Sequence, residues 1–170
     1  MPIDECPYTF VELATRVLPD RMKQMRSSMQ IPWKMSDFSQ AGVGTKSHVL
    51  KLGRKADFKG CYVFLESSTP VYVGISQCVI QRLQQHVKGK THYDASLAYR
   101  MAADGKISYP TRSSAMEDPV FRSGFEKNQT YIQSLYVACV EIDNPLELYL
   151  FEAFCSMELD THQWNTFATH

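Results

Sequence analysis

Residues 60–74 read Gly60-Cys61-Tyr62-Val63-Phe64-Leu65-Glu66-Ser67-Ser68-Thr69-Pro70-Val71-Tyr72-Val73-Gly74. Two runs rich in β-branched and aromatic residues flank a turn at 67–70, which predicts a hairpin of strands 60–66 and 71–74. Side chains alternate across a strand, so Tyr62 and Phe64 share one face while Cys61, Val63 and Leu65 share the other. Tyr72 and Gly74 alternate in the same way. Glycine inside a strand is costly unless something approaches the backbone closely. A substrate phosphate or a simple bulge would each account for Gly60 and Gly74.

Helical patterns surround the hairpin. Ser76 stands where a cap is needed for a helix to about Lys88, ended by Gly89. Asp94 is expected to cap a second helix, Ala95–Ala103, closed by Gly105, and a polar helix covers about 119–133. Residues 135–142 read as a third strand, and Pro145 opens a helix to about Leu159. Upstream, the apolar spacing from Thr9 to Met29 suits two short helices, with Pro19 near the start of the second. Residues 36–48, rich in Ser, Gly and Thr, read as a loop. The order predicts a small α/β (α+β) domain, with a mixed sheet of about three strands flanked by helices. Residues 1–59 form an N-terminal helical and basic extension. Residues 60–170 form the main domain, with 88–134 as a helical insertion.

Hydrophobic residues make up 44% of the 170 and charged residues 21%, as in an ordinary globular protein. Formal net charge is zero, but residues 1–112 carry 16 Lys and Arg against 9 Asp and Glu, and residues 113–170 carry 2 against 9. A chain polarised in this way can turn a basic face to phosphates. Acidic helices that merely fall late in the chain would give the same counts. The five cysteines are odd in number and form no C-x-x-C, which favours reduced thiols and a cytoplasmic setting. No signal-peptide pattern opens the chain, and no apolar run reaches the ~20 residues that span a bilayer.

Two groups stand out beyond the hairpin. Arg82 and His86 lie four apart on one helical face, at the edge of the stripe made by Ile80, Leu83 and Val87. A solvated Arg and a surface His would look the same. Alternatively, the guanidinium fork matches phosphate oxygens and an imidazole one turn away accepts or relays a proton. On the last helix, Glu147 and Glu158 fall on one side, as solvated acids do. Glu152 falls on the other, with Leu148, Cys155 and Leu159. A carboxylate in an apolar stripe needs a partner, either a basic side chain or a cation such as Mg²⁺.

In this order the pieces resemble the GIY-YIG nuclease family over roughly residues 60–165. Tyr62 matches the tyrosine of the first motif and Tyr72 that of the second, nine residues apart. Arg82 matches the helix arginine, His86 resembles the histidine of the restriction-enzyme branch, and Glu152 matches the metal-binding glutamate. Asn165, in Trp164-Asn165-Thr166-Phe167, resembles the asparagine that closes the family core. Residues 95–102 resemble a helix of small stand-alone bacterial members. Cys61 replaces isoleucine, Val73 departs from the second motif, and the Glu152–Asn165 gap is about one residue longer than is common.

The resemblance implies an endonuclease hydrolysing DNA phosphodiesters with Mg²⁺ (or Mn²⁺) held by Glu152. Arg82 would neutralise charge on the scissile phosphate, Tyr62 would help deprotonate water, Tyr72 would position a phosphate oxygen, and Asn165 would hold the site together. Double-stranded DNA is the expected partner, with Arg21, Lys23, Arg26 and Lys34 of the extension, and Lys88, Lys90 and Arg100, as phosphate contacts. A homodimer is compatible with the sequence. The alternative is a fold of this kind that has lost turnover and serves as a DNA-binding or protein-interaction module.

Overall fold

A computed structural model of the protein describes residues 2–104 and 109–167. Helix α1 (Phe10–Glu12) opens on a capping box: Glu12 N–H donates to the Thr9 hydroxyl, and Thr9 N–H to the Glu12 carboxylate. A π-helical turn, Leu13–Val17, leads without a break into α2 (Leu18–Ser28). The break expected near Pro19 is absent because this wider turn, closed by Leu18 N–H on the Leu13 carbonyl, carries the chain past the missing proline donor.

Strand β1 (Trp33–Lys34) is followed by a 3₁₀ helix, Met35–Ser39, and by α3 (Thr45–Lys51). The loop expected over 36–48 is therefore partly helical. Met35 and Phe38 are buried and anchor the first piece, while Gly44 caps α3 with no side chain, leaving no cap signal to read.

Strands β2 (Gly60–Glu66) and β3 (Thr69–Ser76) form the predicted hairpin, with a tighter turn than expected. Pro70 belongs to β3, opposite Leu65, and Tyr72 lies opposite Phe64, so the ladder shifts register around Val71. Helix α4 (Val79–Lys88) starts three residues after Ser76, whose hydroxyl instead engages both the N–H and the C=O of Cys78. Next come α5 (Ser96–Ala103), α6 (Arg112–Glu117) and α7 (Pro119–Ser134), the last capped by Asp118 on Val120 and Phe121 N–H. Asp94 does not cap α5 but pairs with Thr91, and α6 was not expected from the sequence. Gly105, expected to end α5, lies outside the described residues. Strand β4 (Tyr136–Glu141) and α8 (Pro145–Glu158) complete the chain, α8 with Asn144 as cap and Pro145 in its first turn.

The sheet has four strands in the order β1-β4-β2-β3, one more than about three, because β1 adds a two-residue edge. Central β2 pairs antiparallel with β3 and with β4, whereas a mixed sheet was expected.

The chain divides into two compact units. The first comprises residues 1–33, 57–79 and 136–170. In it α2 and α8 pack on the sheet face carrying Cys61, Val63, Leu65, Val73 and Val140. The second comprises residues 34–56 and 80–135, where α5 and α6 pack on α7. Among the described residues no helix is long and apolar enough to cross a membrane.

Both hairpin glycines are explained by close approach within the first unit. Gly60 faces the backbone of Val140 on β4, where a Cβ would collide with the carbonyl. Gly74 lies opposite Tyr62, and a Cβ there would stand 2.5 Å from the Tyr62 hydroxyl oxygen. What comes close to each glycine is therefore the protein itself. Gly74→Ala should cost about 1–3 kcal/mol of stability by overpacking. In a Tyr62→Ala background that cost should largely vanish. Denaturant unfolding of the double-mutant cycle measures the coupling, and additivity within ~0.5 kcal/mol would exclude this contact as the cause.

Candidate functional site

In the first unit, the face opposite Cys61 carries an aromatic cluster. The Tyr62 ring lies 5.4 Å from Phe64 and 6.3 Å from Tyr72, with Phe64 and Tyr72 5.8 Å apart. Tyr62 is 1% exposed, whereas Tyr72 is half-buried. Asn165 reaches the same hairpin from the chain's far end. Its Oδ1 accepts from Val73 N–H at 2.9 Å, and its Nδ2 donates to Val73 C=O at 2.7 Å. Because β3 is an edge strand, these are outward-pointing groups, and Asn165 satisfies both as a further strand would. Tyr62, Tyr72 and Asn165 are thus gathered on the β2–β3 hairpin.

Glu152 is half-buried on α8. Its charge bears on Cys61, whose thiol is pushed up by burial first, then by a hydrogen bond with Cys155 and by the charges of Cys155, Glu152 and Cys139. Glu152 thus stands on the helix whose Leu148, Phe151 and Cys155 pack on the Cys61 face of the sheet.

The buried acid of α8 is Glu147, 3% exposed, and not the solvated residue expected. Its carboxylate accepts from Arg21 Nε of α2 at 2.7 Å. Phe151, one turn on, is fully buried, so the inward stripe runs through 147, 148, 151 and 155. That i,i+4 relation to Phe151 was the signal available in the sequence.

Three of the four cations assigned to the N-terminal extension are engaged within this unit. Besides Arg21, Lys23 pairs with Asp20 at 2.9 Å and Arg26 with Glu158 at 3.4 Å. Lys34, of the second unit, is exposed.

In the second unit, Arg82 Nη1 donates to the Asp94 carbonyl and Nη2 to Ser96 Oγ, both at 2.7 Å. The guanidinium therefore ties α4 to the start of α5. His86 is fully buried, and its pKa is held well below the ordinary value by burial, then by the charges of Arg82 and Arg100. Lys88 donates to the Val43 carbonyl at 2.8 Å, whereas Lys90 and Arg100 are exposed.

Among the described residues no three His, Cys, Asp or Glu side chains group to hold a metal ion. A single carboxylate would suffice only for a cation that takes its remaining ligands from water and substrate phosphate, as Mg²⁺ does. Comparison with protein-family models, with curated proteins and with solved structures finds no match.

Arg21→Met should strand the Glu147 carboxylate and cost about 3 kcal/mol, and adding Glu147→Leu should recover most of it. Denaturant midpoints of the two variants decide this, and equal midpoints would remove the ion pair as a structural tie. For His86, the folded pKa lies below the unfolded value of ~6.5. Its contribution is complete above that value, and stability declines as pH falls below it, because the unfolded chain takes up the proton first. Unfolding between pH ~7 and ~5 should show a slope approaching ~1.4 kcal/mol per pH unit, flattened in His86→Phe.

Proposed function

We propose that this protein hydrolyses phosphodiester bonds of DNA, the activity that the resemblance of Tyr62, Tyr72, Arg82, His86, Glu152 and Asn165 implies. The observation that carries this reading is the double hydrogen bond of Asn165 to Val73. It brings the last residue of the resemblance onto the strand of Tyr72, across 92 positions of sequence.

In this reading Tyr72, half-buried, hydrogen-bonds a phosphate oxygen, and Asn165 holds its strand in place. Arg82 offers a positive charge to the phosphate. His86 is kept neutral by burial and by the charges of Arg82 and Arg100, so it brings no charge of its own to the phosphate at neutral pH. Glu152 would hold Mg²⁺ (or Mn²⁺), which when bound neutralises charge at the scissile phosphate and leaving oxygen. Tyr62 is the expected partner of the attacking water, with its ring fixed over Gly74. The absence of disulfides among the five cysteines suits a reducing, cytoplasmic setting.

Two observations favour the second reading, a DNA-binding or protein-interaction module without turnover. Tyr62 is 1% exposed, and both terminal nitrogens of Arg82 already donate within the second unit.

Nicking of supercoiled plasmid in Mg²⁺ separates the two. Glu152→Gln should abolish cleavage while leaving DNA affinity and melting temperature close to wild type. Tyr62→Phe should lower turnover by ~10² or more for a similarly small change in stability. Full activity of Glu152→Gln would remove it as metal ligand, and absence of cleavage by the wild type across divalent metals would establish the module instead.

A further inference from the structure

We propose that the loop between α4 and α5, through Lys90 and Tyr93, joins Lys46 and Lys51 in a docking surface for the sugar–phosphate backbone of DNA, and that the cations of α2 take no part in it. This rests on DNA being the ligand, as in the reading above, and names the surface that meets it.

Charge divides by unit as it does by position along the chain. The second unit carries 13 Lys and Arg against 6 Asp and Glu, and the first carries 5 against 12. A polyanion is drawn to the first set and repelled by the second. The cations that the first unit does hold on α2 are spent on Glu147, Asp20 and Glu158. Lys46, Lys51 and Lys90 are exposed and enter no ion pair among the described residues.

Hydrogen bonds bring the basic segments of the second unit together. Thr45 Oγ1 donates to Gln84 Oε1 at 2.6 Å, and Gln84 Nε2 and Lys88 Nζ both donate to the Val43 carbonyl. The start of α3 is thereby fastened to α4. Lys51 and Lys88 also converge on buried His48, whose pKa is lowered by burial first and then by those two charges.

The α4–α5 loop is held from three sides. Arg82 grips Asp94 and Ser96, Gln129 Nε2 donates to the Gly89 carbonyl at 2.7 Å, and Thr91 bonds Asp94. On this fixed loop Tyr93 is 75% exposed, its ring 4.0 Å from that of buried His92. An aromatic ring held rigid in water beside lysines loses little entropy on docking. Its hydroxyl suits a phosphate oxygen, and its face suits a sugar or an unstacked base.

The test is binding of a fluorescent duplex to the full chain, followed by anisotropy from low to moderate salt without divalent metal. Lys46→Gln, Lys51→Gln and Lys90→Gln together should flatten the slope of log K against log salt by about 0.9 for each phosphate no longer neutralised. Tyr93→Ala should weaken binding about tenfold at every salt concentration and leave the slope alone. Lys23→Gln with Arg26→Gln should leave both unchanged. All these side chains are exposed, so melting temperatures should match wild type. A flatter slope from the α2 pair and not from the triple variant would overturn the surface while leaving the DNA reading intact, as would full affinity in Tyr93→Ala. A wild type that binds no duplex would overturn both. Polyglutamate bound as tightly, with the same sensitivity to Tyr93→Ala, would replace DNA by an acidic protein partner.

Discussion

The pairing of Tyr62 with Gly74 is the contact on which the first unit depends. Strand β2 is buried on both faces from Cys61 to Leu65, so it cannot slip by one residue without exchanging its two sets of side chains. The Tyr62 ring occupies the space that a Cβ at residue 74 would fill, which fixes the register of β3 against β2. That register sets Tyr72 beside Tyr62 and turns the outer N–H and C=O of Val73 toward Asn165. A tyrosine and a glycine that look like separate motif letters are one packing unit.

Tyr62 serves the fold whether or not it also serves a reaction, and the same holds for Arg82, which braces the α4–α5 loop. A residue with two duties leaves a structural requirement behind even where turnover is lost. Glu147 supplies the ion pair that joins α8 to α2.

The hairpin, the approximate extents of α7 and α8, and the strand before α8 were legible in the sequence, because alternation and a proline opening a helix are local signals. The helical character of 35–51 was not. Its 3₁₀ turn is anchored by burial of Met35 and Phe38, and α3 begins at an unsignalled glycine. Ser76 and Asp94 have the chemistry of caps, yet each bonds a neighbour in its own turn. A helical wheel for α8 put Glu147 on the solvated side, whereas Arg21 of α2, 126 positions away in sequence, pairs with it and lets it be buried.

By itself the sequence determined the strands and helices that local periodicity and capping encode, the mixed α and β class, and the order of the residues that suggest phosphodiester chemistry. Only the tertiary structure decided which of those residues are satisfied by the protein. The Gly74 gap is filled by Tyr62, the cations of α2 are neutralised by acids more than a hundred residues away or one turn off, and the unspent lysines collect in the second unit. The physical reason is that burial and pairing of a charge are properties of its surroundings in space. Those surroundings are assembled from segments that the sequence holds far apart.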